Sequence, residues 1–118
     1  MDAASTVLIG LVAALHLCFL VLEMVLWDTS AGRRVFGLTR EMAAATRTLA
    51  ANQGLYNGFL AAGLVWSLLL GDAGRSVATF FLSCVVAAGV FGAATVSRKI
   101  LWIQALPAAV ALALVLGR

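Results

Sequence analysis

The sequence predicts an all-α fold, an integral membrane four-helix up-down bundle that forms a single transmembrane domain over residues 1–118, and three observations carry that expectation. Of the 118 residues 64% are hydrophobic and only 11% charged, with a mean hydropathy of +1.08. So few charges cannot clothe a soluble domain, whereas lipid solvates apolar side chains directly. The apolar residues fall into four continuous runs, each close to the ~20 residues a hydrocarbon core requires, and an isolated membrane strand could not satisfy its own backbone. Two of the three connections are short, which sets neighbouring helices antiparallel.

The first span is expected over residues 4–27. It lacks the basic start of a signal peptide, is too long for a signal's apolar core, and carries His16 and Glu23, so it is read as a retained membrane helix. The stretch 28–48 is the long connection, with Arg33, Arg34, Arg40 and Arg47 beside Val35, Phe36, Leu38 and Met42. Its second half, from Arg40 through Met42, Ala43, Ala44 and Ala45 to Arg47, is rich in helix formers. It is expected to extend the second span's helix beyond the lipid rather than lie along the surface. The second span covers 49–70, a tight turn at 71–75 leads to the third at 76–96, and Ser97, Arg98 and Lys99 turn the chain into the fourth at 100–116. Pro107 falls inside that last span, frees the carbonyl of Ile103, and predicts a structural bend. Of Trp27, Trp66 and Trp102, two stand at span ends, where indole favours the headgroup level. Gly54, Gly58 and Ala62, and again Gly89, Gly92 and Ala93, supply small residues that let helix backbones approach closely.

The loop charges orient these spans. Arg33, Arg34, Arg40, Arg47, Arg98 and Lys99 are six cations on one side, against Arg75 and Arg118 on the other. The richer side is cytoplasmic by the positive-inside rule, which predicts a multi-pass cell-membrane protein with both termini outside the cytoplasm. The net charge of +3 and pI near 9.5 are therefore orientation signals, and the expected partner is the lipid bilayer rather than nucleic acid. Cys18 and Cys84 sit in apolar runs without metal-ligand or redox spacing and read as small buried hydrophobes; no metal or cofactor is expected.

Glu23 is the residue around which a function must be sought, because an unpaired acid at the centre of a helix in lipid costs roughly 2.5–3.5 kcal/mol. With ~1.5 Å of rise per residue, Glu23, Gln53 and Gln104 each lie about 6 Å inside a cytoplasmic span end, with Tyr56 and Asn57 about a turn deeper. His16, Phe19, Leu20, Glu23 and Trp27 share one helical stripe, and Gln53, Tyr56, Asn57 and Leu60 share another. Amides and a tyrosine hydroxyl can donate to a carboxylate, so these groups are expected to meet in one polar network. The plain reading of that network is interhelical glue worth about 0.6–2 kcal/mol per contact. The sharper reading is that Glu23 changes protonation during a working cycle, with His16 as a relay deeper in the membrane. There is no phosphate-binding glycine loop, no zinc-protease helix motif and no nucleophile elbow, so no catalytic motif supports an enzyme.

His16, Leu22, Glu23, Met24 and Trp27, the run Asn52, Gln53, Gly54, Leu55, Tyr56, Asn57, Gly58, Phe59, then Gly89, Val90, Phe91, Gly92, and finally Gln104 with Pro107 form a distinctive set. Together they resemble the domain-of-unknown-function family 1304, short four-helix integral membrane proteins of bacteria and fungi. The resemblance covers nearly the whole chain and implies four spans and membrane residence; it brings no established activity. The family's characteristic polar positions correspond here to His16, Glu23, Asn52, Gln53, Tyr56, Asn57 and Gln104.

The functional expectation is transport, or proton-coupled binding, of a small solute at a buried Glu-centred site in the cytoplasmic half of the bundle. Four short helices enclose little volume, so a homo-oligomer is expected. Two alternatives stay open: a membrane-embedded enzyme or binding protein for a lipid or hydrophobic small molecule, and a structural accessory subunit.

Overall fold

A computed structural model of the chain describes residues 1–117; Arg118, one of the two cations assigned to the non-cytoplasmic side, lies outside the described residues. Among the described residues the fold is all-α. It has five α-helices and no strand: α1 (Ala3–Met24), α2 (Ser30–Phe36), α3 (Arg40–Leu69), α4 (Arg75–Thr95) and α5 (Leu106–Leu116). A 3₁₀ turn, Gly71–Gly74, precedes α4, and a π-helical turn, Leu101–Ala105, runs into α5. By length and composition two helical stretches, Ala3–Met24 and Gly71–Thr95, are apolar enough to cross a membrane, and Leu101–Leu116 is apolar but shorter.

The helix ends follow from local chemistry. Asp2 opens α1, its carboxylate accepting from the Ser5 N–H at 2.8 Å. The long connection holds a helix that its sequence does not announce. Thr29 Oγ1 accepts from the Gly32 N–H at 3.2 Å to start α2, and Gly37, at φ +65°, ends it in the left-handed conformation that glycine adopts without strain. A side chain at Gly32 would strike the Leu26 carbonyl, so only glycine fits where α2 folds back on the end of α1. Thr39 then accepts from the Met42 N–H at 3.1 Å, and α3 begins at Arg40. The helix thus extends well before the apolar run, as the Ala-rich turns predict.

The chain divides into two compact units, Met1–Ala14 with the chain from Leu60 onward, and Leu15–Phe59. The first unit has a core of Ile9, Val12, Ala13, Leu64, Ala78, Leu82, Val85, Ala108, Ala111 and Val115. Gly89 lets α4 run directly against the π-helical turn, since an added Cβ would lie 2.8 Å from the Ala105 backbone nitrogen. In that turn the Leu106 N–H bonds to the carbonyl of Leu101, five residues back. The disturbance caused by Pro107 is therefore a widened turn ahead of the proline: with no N–H to offer Ile103, the helix changes register before the ring is reached. On α4, Thr79, Ser83 and Thr95 each donate to the carbonyl four residues earlier, at 2.9, 2.7 and 2.7 Å, which satisfies their hydroxyls without an outside partner.

The second unit comprises the C-terminal part of α1, α2 and the first part of α3. Trp27 binds it together. Its indole N–H donates to Thr46 Oγ1 at 3.0 Å, and its ring packs on Phe36 with centroids 4.7 Å apart. Arg33 turns back to Asp28, reaching the backbone carbonyl at 3.1 Å and the carboxylate at 3.4 Å.

Candidate functional site

The site lies in the second unit, where α3 passes α1 at close range. Ala43, Ala50, Gly54 and Asn57 form the buried seam of α3 in this unit, at helical spacings that keep them on one face. Three are alanine or glycine, which permits the close approach. A Cβ built on Gly54 would lie 2.6 Å from Met24 Cγ, 3.1 Å from Glu23 Cβ and 3.2 Å from the Leu20 carbonyl oxygen, and one on Gly58 would lie 2.7 Å from Leu20 Cδ1. The glycines thus bring the backbone of α3 to the flank of α1 where Glu23 projects.

At that crossing the buried Asn57 amide donates to Glu23 Oε1 at 3.0 Å. Glu23 is half-buried, and Asn57 is its hydrogen-bond partner among the described residues. No Lys or Arg of the described residues forms an ion pair with it. Among the described residues the carboxylate is therefore held by one neutral donor. His16, two turns earlier on α1, is fully buried, with its ring edge-on to Phe19 at 5.6 Å.

The remaining residues picked out by sequence are placed differently. Asn52, Gln53 and Tyr56 are exposed on α3, because each position turns the helix by ~100°, and Gln53 and Tyr56, one position before Gly54 and Asn57, and Asn52, two before Gly54, fall off the seam. The stripe expected to join Gln53, Tyr56 and Asn57 splits accordingly: Asn57 turns to Glu23, and Gln53 and Tyr56 turn out. Gln104 lies half-buried in the π-helical turn of the first unit. Cys18 is exposed and Cys84 half-buried, both as free thiols, so the expectation that both are buried is corrected by the outward face of α1 on which Cys18 falls. Among the described residues no three His, Cys, Asp or Glu side chains converge as metal ligands would.

Comparison with known proteins places the chain in a family. Residues 10–116 match the family described as Protein of unknown function (DUF1304). The chain belongs to the DUF1304 family. It is also similar to the uncharacterized protein YpaA of Lactococcus lactis subsp. lactis (strain IL1403), at 27% identity over 102 residues that cover 84% of this chain and 86% of the relative. No solved structure matches the chain.

In this DUF1304 protein Asn57 is the member of the expected polar network that hydrogen-bonds to Glu23 among the described residues. Sequence reasoning passed over Thr46, the acceptor for Trp27, because a threonine among alanines gives no signal of what stands opposite it. It also treated Gly54 and Gly58 as general packing residues. Their specific role, making room for Leu20, Glu23 and Met24, becomes visible only when the neighbouring helix is known.

Proposed function

We propose that this protein crosses the bilayer four times, with both termini outside the cytoplasm, and that the Glu23–Asn57 pair is a binding site where a proton and a small solute exchange. Support for the membrane reading comes from the outward surface. Val7 and Leu11 on α1, Phe80 and Phe91 on α4 and Leu69 on α3 are all more than half exposed, an apolar area that a monomeric soluble protein does not present to water. The self-satisfied hydroxyls of α4 suit the same surroundings. The second span would be the apolar part of α3, and the fourth the π-helical turn with α5.

The observation that carries the site is the charge balance at Glu23. One neutral amide orients the carboxylate, and no protein cation among the described residues compensates it. Its charge must then be met by a proton or by a cationic group from outside, and the two displace one another. The Asn57 amide holds the same oxygen in either case. A second reading, in which the pair is purely a clamp, draws on the direct 3.0 Å bond and the tight Gly54 crossing.

Infrared difference spectroscopy in lipid nanodiscs separates the two. With Glu23→Gln as the reference, the wild type is expected to show an additional carboxyl band that titrates reversibly with pH and shifts when a small quaternary ammonium probe is added. If no band distinguishes the wild type from E23Q, Glu23 does not exchange protons and the site proposal fails. A fall in melting temperature for E23Q without any titrating band would identify the clamp.

A further inference from the structure

Asn52, Gln53 and Tyr56 remain after the site has taken Asn57, and their placement is the least expected feature of the chain. They occupy an arc of about 120° on α3 together with Leu49 and Phe59. All five are exposed, Leu49 at 72%, Tyr56 at 52% and Phe59 at 55%. None of the three polar side chains has a hydrogen-bond partner among the described residues, and the Tyr56 ring meets Phe59 edge-on at 6.0 Å. Beyond them the outward surface of α3 is apolar, carrying Val65, Trp66 and Leu69.

With Leu49 at the membrane boundary, a reading this inference shares with the proposed function, these groups lie roughly 4–11 Å inside the hydrocarbon. Amides and a phenol there must find partners, because lipid chains supply none. The chemistry of the stripe says which partner. All three side chains are neutral, and Arg47, one of the nearest cations in sequence, stands about 160° from Leu49 around α3, so a phosphate headgroup meets nothing cationic on this face. Asn and Gln each carry a donor pair and an acceptor, and Tyr carries both functions in one hydroxyl, so this surface complements a copy of itself. Self-complementarity of that kind is what a twofold interface uses.

We infer that the Leu49, Asn52, Gln53, Tyr56, Phe59 face of α3 is where a second copy of this chain docks, its amides and hydroxyl bonding their counterparts across a twofold axis between apolar shoulders. Expected homo-oligomer formation thereby acquires a definite surface, centred about 100° around α3 from Asn57.

The test uses the full chain in nanodiscs, with Cys18→Ser and Cys84→Ser as background. Gln53→Cys or Tyr56→Cys is expected to form an intermolecular disulfide on mild oxidation, while Val90→Cys on α4 is not. Combined Asn52→Leu, Gln53→Leu and Tyr56→Phe is expected to weaken self-association by at least about tenfold in native mass spectrometry or photobleaching, with helicity unchanged. Alkaline carbonate extraction keeps the two readings apart. Protein released from the membrane overturns the membrane reading and this inference with it. Protein that stays in the membrane but is monomeric, cross-links through Val90→Cys instead, or associates as well with the triple variant as without it overturns the docking surface alone.

Discussion

Replacing Gly54 by alanine tests whether the close passage of α1 and α3 is what holds the Glu23–Asn57 pair. The added methyl would sit 3.1 Å from Glu23 Cβ and 3.2 Å from the Leu20 carbonyl, with Met24 Cγ at 2.6 Å. Carbon contacts are comfortable at about 3.5–4.0 Å, so after the flexible Met24 side chain swings aside the helices must still part by roughly half an ångström. The Asn57 to Glu23 bond, 3.0 Å long, would then stretch to about 3.5 Å, where hydrogen bonding fades. Overpacking of this kind costs about 1–3 kcal/mol, and the weakened interhelical bond adds about 0.6–1.7 kcal/mol. Against that, alanine is favoured over glycine in a helix by ~1 kcal/mol. Net destabilisation of about 1–3 kcal/mol is expected. Gly10→Ala is the internal control, because a Cβ there meets nothing within 4 Å and only the helix-propensity gain should appear. Reversible unfolding in mixed detergent, followed by far-UV circular dichroism, measures both variants. In an Asn57→Ala background the Gly54→Ala effect should shrink by the bond's share. If Gly54→Ala stabilises the protein as Gly10→Ala does, the crossing is not tight and the explanation given for the pair is wrong.

Two further substitutions probe the unit that carries the site. Trp27→Phe keeps a ring against Phe36 but removes the indole donor to Thr46, so a loss of about 0.5–1.5 kcal/mol is expected, and Thr46→Val should add little to it; full additivity in the double variant would show that the 3.0 Å bond contributes nothing. Gly37→Ala places a side chain at φ +65° with no neighbour to hit, so the cost is conformational alone, about 1–2 kcal/mol, and Gly37→Asn should recover part of it. Thermal melts in nanodiscs that leave Gly37→Ala unchanged would remove the left-handed stop from the account of α2.

What the sequence determined by itself is the helical character of the chain and which polar residues stand out within its apolar runs. Continuous apolar runs leave the backbone one way to satisfy itself, and a glutamate or an asparagine in such a run is conspicuous whatever surrounds it. The helix-forming turns after Thr39 likewise announced the early start of α3. Facing was another matter. Asn57 and Gln53 are four residues apart and were grouped on one stripe, but the buried seam is narrow because glycine and alanine carry it, and a narrow seam admits one polar residue and turns its neighbour outward. The helix α2 escaped notice because its two ends depend on a threonine hydroxyl and a left-handed glycine rather than on apolar periodicity. Pro107 pointed to the freed carbonyl of Ile103 but not to the form of the disturbance; a π-helical turn, rather than a simple bend, lies there, where Gly89 brings α4 against Ala105. Residue chemistry is local and can be read along the chain, whereas which side chain reaches Glu23 depends on how close two backbones come, a distance set only when the helices pack.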